Sequence, residues 1–196
     1  MTNQKSHKIG LYFGSFNPIH IGHMAIANYM LEFTDLDKIW FVISPHNPLK
    51  EKKSLLADYH RLEMVHIALH NEYSMNPCDI EFKLPQPSYT IDTLTHLKEK
   101  YPQNNFVVLM GGDSLGSIEK WKNHESLLDQ HEVYVYARPG TTLDKSLHKN
   151  VRLFNAPQMD ISASFIRNSI KDGKNIRYFL PAEVWKYIQE MHFYKK

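Results

Sequence analysis

Two histidines near the start of the chain, His20 and His23, have the spacing of a phosphate-binding pair. Residues three apart in the first turn of a helix share one side of it, and Gly22 leaves the space between them open. Imidazole N–H groups there can donate hydrogen bonds to phosphate oxygens and stabilise the charge that builds up during displacement at phosphorus. Taken alone, a His-x-x-His pair is more often structural or a weak metal site, so its interpretation depends on the neighbouring sequence.

The segment before the pair, residues 14–19, reads Gly-Ser-Phe-Asn-Pro-Ile and follows an apolar run over residues 9–13. The run predicts a buried strand, and Gly14 predicts a tight turn whose backbone amides can approach a phosphate closely. A helix from about Gly22 adds the partial positive charge of its N-terminus. Strand, glycine turn and helix together predict an anion site before any side chain is counted.

The rest of the chain repeats this alternation of strands and helices, which predicts an α/β fold with a doubly wound parallel sheet. Helices are predicted over residues 22–33, 59–70, 91–100 and 115–128, and two more begin at Ser162, a plausible N-cap, and at Pro181. In such a sheet, ligands gather at the carboxyl ends of the strands. The predicted strands are residues 9–13, 39–43, 80–84, 106–110, 133–137 and 151–154.

Composition bounds the class of protein. The 196 residues suit a single domain, 1–196, with a flexible start at 1–7 and a C-terminal helical part over 155–196. The formal charge of +2 lacks the clustered basic excess of dedicated nucleic-acid binders. The single cysteine, Cys78, excludes an internal disulfide framework and is expected to be a half-buried strand residue. With neither a signal-peptide pattern nor a membrane-spanning stretch, we expect no membrane association and a cytoplasmic location.

The segment from Gly14 to His23 resembles the nucleotidyltransferases of the HIGH-motif superfamily, and residues 20–23 spell His-Ile-Gly-His in full. Three later segments narrow the resemblance to the bacterial-type nicotinate mononucleotide adenylyltransferases. They are residues 87–94 (Pro-Ser-Tyr-Thr-Ile-Asp-Thr-Leu), 111–114 (Gly-Gly-Asp-Ser) with Trp121-Lys122, and 161–167 (Ile-Ser-Ala-Ser-Phe-Ile-Arg), the last preceded by Arg138-Pro139-Gly140. These matches follow the family's order from about the first strand to the last helix.

The resemblance implies an ATP site. Asp113 would face the adenosine ribose, and the start of the helix near Ser162 would hold the β- and γ-phosphates; without the family context, Asp113 and Ser162 are ordinary helix caps. His20, His23 and Arg167 carry the catalytic roles in this interpretation. The ATP-binding set is Gly14, Ser15, Phe16, His20, His23, Gly111, Asp113, Arg138, Ser162, Ser164, Ile166 and Arg167.

The resemblance also implies a site for nicotinate mononucleotide. Thr90 and the amides around it would hold the nicotinate carboxyl group, although Thr90 could simply cap a helix. Trp121 would stack on the cationic pyridine ring, although a lone tryptophan more often packs in a core. The substrate-binding set is Ser15, Phe16, Asn17, Lys50, Tyr89, Thr90 and Trp121.

Two positions depart from the family pattern. Leu49 stands where many members have histidine before the lysine that matches Lys50, and the nearby His46 is a candidate substitute. Ala163 and Ser164 replace the last two residues of the family's Ile-Ser-Ser-Thr, and Ser164 keeps a hydroxyl.

The reaction implied is transfer of AMP from ATP to nicotinate mononucleotide, with Mg²⁺ accompanying ATP through its phosphates and water. No resident metal site is expected, since the His66 and His70 pair has no evident third ligand. Other HIGH-family acceptors are alternatives: nicotinamide mononucleotide, phosphopantetheine, or a sugar or glycerol phosphate, and the segment from Ser88 to Leu94 argues against the last two. A dinucleotide sensor or an RNA binder is a rival of another class, and a dehydrogenase is disfavoured because Gly14-Ser15-Phe16-Asn17 is not a Gly-x-Gly-x-x-Gly turn. The sequence does not fix the oligomeric state.

Overall fold

A computed structural model describes residues 6–45, 55–136, 148–157 and 159–195. Six parallel strands form one sheet in the order β3-β2-β1-β4-β5-β6, which confirms the predicted doubly wound sheet. The strands are β1 (Lys8–Gly14), β2 (Lys38–Ile43), β3 (Met75–Cys78), β4 (Asn105–Gly111), β5 (Val133–Tyr136) and β6 (Val151–Phe154).

Helices connect the strands and cover both faces of the sheet. They are α1 (Ile21–Glu32), α2 (Asp58–Ala68), α3 (Thr90–Lys100), α4 (Gly112–Leu115), α5 (His124–Gln130), α6 (Ala163–Lys171) and α7 (Ala182–Glu190), with 3₁₀ turns at Ile80–Lys83, Ile118–Lys120 and Arg177–Phe179. Within the described ranges, no helix has the length and hydropathy needed to cross a bilayer.

The sheet divides the core into two layers. Adjacent strand residues point to opposite faces, so Leu11 packs with α3 and α5 on one side while Tyr12 packs with α1, α6 and α7 on the other. The central strands β1 and β4 are almost continuously buried, as expected when helices cover both faces. The site is therefore carried on a rigid framework.

The prediction of a strand over residues 80–84 is wrong. Apolar residues alternate there with polar ones, but the third strand is Met75–Cys78 and residues 80–83 form a 3₁₀ turn. β3 lies at the edge of the sheet, where Pro77 is tolerated because an edge strand needs hydrogen bonds on one side only. Cys78 is half-buried in this strand, as predicted.

The prediction of one helix over residues 115–128 is also wrong. The segment divides into the end of α4, a 3₁₀ turn and α5. Asn123 interrupts it with a φ of +51°, in the left-handed region that asparagine adopts more readily than most residues. The helix predicted from Ser162 is confirmed, since the Ser162 hydroxyl accepts a hydrogen bond from the Phe165 N–H at 3.1 Å.

Candidate active site

A cavity of about 990 Å³ opens at the carboxyl ends of β1 and β4. The strand order reverses here, because the chain builds β2 and β3 on one side of β1 and β4 to β6 on the other. Doubly wound sheets bind ligands at this switch point. The lining comes from the loop after β1, the start of α3, the segment after β4 and the start of α6.

Most of the residues predicted from the sequence line this one cavity. Ile166 does not, because its side chain is fully buried in the core. Lys50 and Arg138, together with Leu49 and His46, lie outside the described residues. The predicted residues that line the cavity are Gly14, Ser15, Phe16, Asn17, His20, His23, Tyr89, Thr90, Gly111, Asp113, Trp121, Ser162, Ser164 and Arg167.

His20 and His23 stack on each other at the start of α1, with ring centroids 3.6 Å apart and an interplanar angle of 27°. The His23 Nδ1 accepts a hydrogen bond from the His20 backbone N–H at 3.2 Å. A neutral imidazole has one donor and one acceptor nitrogen, so this bond places the proton of neutral His23 on Nε2. The pair therefore has the geometry predicted from its spacing.

Gly22 leaves room for this stacking. A Cβ on Gly22 would lie 3.1 Å from the His20 Nδ1, closer than ordinary van der Waals contact. His20 is 5% exposed, and burial lowers its pKa to about 4. His20 is consequently neutral at pH 7, and its ring can donate a single hydrogen bond without adding a formal charge.

The loop after β1 is held by the Phe16 side chain. Phe16 has a φ of +43°, which is uncommon for a bulky residue, and its ring is 2% exposed. The ring packs edge-on against His23 at 5.1 Å and lies over Gly14, where a Cβ would approach it to 2.8 Å. Phe16 thus supports the histidine pair from the core, and its backbone amide is the group it can offer to a nucleotide.

Asn17 joins this loop to the C-terminal part of the chain. Its backbone carbonyl accepts a hydrogen bond from the Arg167 Nη1 at 2.9 Å. Its buried side-chain oxygen accepts hydrogen bonds from the Leu56 N–H at 3.3 Å and the Tyr194 hydroxyl at 2.8 Å. These contacts set the distance between the loop and α6, so the predicted catalytic Arg167 is positioned by the same loop that carries His20.

Arg61 is a buried residue that sequence reasoning missed. Its side chain is fully buried, and its guanidinium donates to the carbonyls of Ser15 at 2.7 Å and Ser44 at 2.8 Å. It also donates to the Leu56 carbonyl and to the Asp58 carboxylate. Arg61 therefore ties the ends of β1 and β2 to the start of α2. Arg61 shares the buried face of α2 with Met64 and Val65, and no short motif marks it in the sequence.

The start of α3 forms another wall of the cavity. Tyr89 occupies the N-cap and Thr90 is the first helical residue, so the alternative in which Thr90 caps the helix is wrong. Beneath this turn lies the buried carboxylate of Glu81, which accepts hydrogen bonds from the hydroxyls of Ser88 and Thr93, both at 2.9 Å. Sequence reasoning missed Glu81 because it assigned the surrounding segment to a strand.

Trp121 lines the cavity beside α3 and is half-buried. The next residue, Lys122, lies with its Nζ 2.8 Å from an Asp92 carboxylate oxygen and 4.9 Å from the centre of the Tyr89 ring. Both charged side chains are 43% exposed, so this ion pair adds little stability. It does join the segment carrying Trp121 to the first turn of α3.

At the start of α6, the Ser162 side chain acts as the helix cap, and the Ser164 hydroxyl accepts a hydrogen bond from the Arg167 Nη2 at 3.1 Å. The hydroxyl predicted to replace the family's threonine therefore lies next to the guanidinium. Asp113, in α4, is exposed at the cavity mouth, and Gly111 provides the N-cap of that helix, so Asp113 is not a cap. The ligand roles of these residues stay predictions.

Comparison with known proteins gives a consistent result. The sequence model of the Cytidylyltransferase-like family matches residues 11–169. A Flavobacterium johnsoniae protein named "probable nicotinate-nucleotide adenylyltransferase" is 54% identical over 192 residues, covering 96% of this chain and 100% of the relative. A Bacteroides fragilis protein with the same name is 44% identical over 182 residues, covering 92% and 90%.

Solved structures share the fold. The nicotinic acid mononucleotide adenylyltransferase of Plasmodium falciparum complexed with NaAD superimposes with a TM-score of 0.81 at 24% identity, covering 96% of this chain and 97% of that one. Its complex with APC gives a TM-score of 0.79 at 23% identity, with the same coverage. At these identities the likeness establishes the architecture alone.

Proposed function

The chain belongs to the Cytidylyltransferase-like family, among the nicotinate-nucleotide adenylyltransferases, and we propose that it transfers AMP from ATP to nicotinate mononucleotide. The products are nicotinate adenine dinucleotide and pyrophosphate. This family membership confirms the resemblance predicted from the His-Ile-Gly-His element and the three later motifs. The reaction supplies a dinucleotide for NAD biosynthesis.

One observation carries the proposal: the stacked pair His20 and His23 lies in the same cavity as the start of α6, and Asn17 links the two. Two helix N-termini, two imidazoles and a guanidinium thereby line one space. This combination of partial and full positive charge suits a polyphosphate. The cavity volume of about 990 Å³ is at the upper end of the range for small-molecule sites. The cavity can therefore hold the reacting parts of two nucleotides side by side.

The chemistry requires positioning more than proton transfer. A phosphate oxygen of nicotinate mononucleotide forms a bond to the α-phosphorus of ATP while the bond from that phosphorus to the pyrophosphate oxygen breaks. The nucleophile is already an anion at neutral pH, so no strong general base is needed. His20 and His23 donate hydrogen bonds to the phosphates, and Arg167 neutralises charge on the leaving pyrophosphate.

The pyridine nucleotide binds between α3 and the segment after β4. Its carboxylate faces the N–H groups at the start of α3, and its cationic ring stacks on Trp121. Support for this placement comes from the shared lining of the cavity by Tyr89, Thr90 and Trp121. The Lys122 contacts to Asp92 and Tyr89 hold these two walls together.

Magnesium enters with ATP in this proposal, ligated by phosphate oxygens and water. In the described part of the chain, no three His, Cys, Asp or Glu side chains lie together where they could hold a metal ion. When bound, the ion supplies charge neutralisation on the phosphates.

Pyrophosphate release tests the proposal. The purified protein is incubated with ATP and Mg²⁺ and with either nicotinate or nicotinamide mononucleotide, and the dinucleotide products are separated by chromatography. Both acceptors are used at low concentration. We expect pyrophosphate and nicotinate adenine dinucleotide in equal amounts with nicotinate mononucleotide, and much less product with nicotinamide mononucleotide. No acceptor-dependent release, or equal use of the nicotinamide acceptor, would overturn the proposal.

A further inference from the structure

Glu81 is the carboxylate buried next to the proposed pyridine subsite. It is 2% exposed, yet it borders the cavity. Its Oε2 lies 2.9 Å from the Ser88 hydroxyl and its Oε1 lies 2.9 Å from the Thr93 hydroxyl. Both hydroxyl-bearing residues are themselves buried. Burying a charged group is costly unless hydrogen bonds compensate for the lost water, and here two hydroxyls provide them. The presence of this buried carboxylate therefore requires an explanation.

The two hydroxyls bracket the first turn of α3. Ser88 precedes the N-cap Tyr89, and Thr93 lies one turn into the helix, with its hydroxyl also 3.2 Å from the Tyr89 carbonyl. One carboxylate thus holds both sides of the segment that presents Tyr89 and Thr90 to the cavity. The attachment is from beneath, since Glu81 belongs to the 3₁₀ turn after β3.

Three hydroxyl groups surround this carboxylate. Burial raises the pKa of Glu81, while the hydroxyls of Ser88, Thr93 and Ser44 oppose that rise. Each carboxylate oxygen is occupied by a hydroxyl donor, one from just before the N-cap Tyr89 and one from the first turn of the helix.

We propose that Glu81 is a positioning residue that sets specificity for the acidic pyridine nucleotide. By holding Ser88 and Thr93, it fixes the N–H groups at the start of α3 in the arrangement that binds the nicotinate carboxylate. Glu81 does not touch the substrate and acts through these two residues. The inference rests on the proposed function and names the group that organises one of its subsites.

The test compares Michaelis constants for the two substrates in E81A and E81Q. Loss of both anchors in E81A should raise KM for nicotinate mononucleotide about 10-fold or more, while KM for ATP stays within about 2-fold. The preference for nicotinate over nicotinamide mononucleotide should fall by a similar factor. Glutamine keeps one oxygen acceptor of nearly the same shape, so E81Q should recover most of the loss.

Asp79 offers a matched control, because it stands just before the same 3₁₀ turn and its side chain pairs with the exposed Lys83 at 3.2 Å. D79A should leave both Michaelis constants unchanged. If E81A does not fold, S88A and T93V each delete one donor, and each should raise KM for nicotinate mononucleotide about 3-fold without changing that for ATP. Thermal unfolding reports the folding of every variant.

Equal rises in both Michaelis constants, or an unchanged KM for nicotinate mononucleotide in E81A and in S88A and T93V, would overturn the inference. A wild-type protein that releases no pyrophosphate with nicotinate mononucleotide would instead overturn the proposed function. The two failures are distinct, because the first is seen only when the wild type is active.

Discussion

The Tyr194 hydroxyl donates a hydrogen bond to the Asn17 side-chain oxygen at 2.8 Å and so joins residues that are 177 positions apart in the chain. Burial raises the pKa of Tyr194, which keeps the hydroxyl protonated and able to donate. The Asn17 backbone carbonyl also accepts a hydrogen bond from Arg167. The C-terminal segment therefore helps to place both the loop after β1 and the start of α6. The end of the chain is thereby coupled to the loop that carries the histidines.

Replacing Tyr194 by phenylalanine removes this hydrogen bond and keeps the ring. We expect turnover to fall roughly 3- to 10-fold, because the loop and Arg167 lose a shared anchor. The free energy of unfolding should fall by about 1 kcal/mol. Steady-state kinetics and urea unfolding measure the two effects. Y73F, at a tyrosine that is 91% exposed, is the control and should behave as the wild type; a Y194F variant indistinguishable from Y73F would contradict the coupling.

Arg61 should contribute more to stability than any surface charge. In R61M the carbonyls of Ser15 and Ser44 lose their buried donor, so we expect the free energy of unfolding to fall by about 3 kcal/mol. R61K keeps the charge but presents a single nitrogen, so it should recover only part of this loss. Urea denaturation with matched m-values checks the expected order of stability, in which the wild type is more stable than R61K and R61K more stable than R61M. A change below about 0.5 kcal/mol in R61M would contradict the assigned role.

Gly22 should be required for activity rather than for folding. The Cβ added in G22A would lie 3.1 Å from the His20 Nδ1, so the His20 ring must shift to make room for it. We expect turnover to fall roughly 10-fold, while alanine's better helix propensity keeps the free energy of unfolding equal or slightly higher. G116A is the matched control, because its Cβ would meet nothing closer than 3.6 Å. Full activity in G22A would show that the stacked geometry is dispensable.

Buried His20 makes the protein less stable in acid. Its pKa is about 4 when folded and 6.5 in the reference state, so between these values the unfolded chain binds more protons and stability rises with pH. Lowering the pH from 7 to 4.5 should therefore cost about 2 kcal/mol through this residue. Urea unfolding of wild type and H20A at both pH values isolates the effect. The acid-induced loss should be smaller in H20A by that amount, and an equal loss would refute the burial argument.

Local patterns were enough to predict the sheet, apart from its third strand, and much of the site. The apolar run before Gly14 and the helical spacing after Gly22 depend on neighbouring residues, so β1 and α1 follow from the sequence. The predictions of a strand over residues 80–84 and of one helix over residues 115–128 were wrong, because the folded structure overrides the local hydrophobic patterns of these segments. Glu81 turns inward to meet two hydroxyls, and the left-handed Asn123 breaks the second segment.

The supporting residues were harder to predict than the site itself. Arg61, Glu81 and Tyr194 act through partners that are distant in the chain or lie on other elements, and no short motif encodes such contacts. Predicted contacts of Lys50 and Arg138 lie outside the described residues and stay predictions. Motifs thus located the groups that face the cavity, while the residues that position those groups emerged only from the three-dimensional packing.

Turnover of H20A and H23A with ATP and nicotinate mononucleotide tests the central claim most directly. Each variant removes one donor to the reacting phosphates, so we expect kcat to fall about 10²- to 10³-fold, with circular dichroism and thermal unfolding showing an intact fold. H66A, at an exposed histidine of α2, is the control and should keep full turnover. Near-normal turnover in both H20A and H23A would contradict catalysis by the stacked pair.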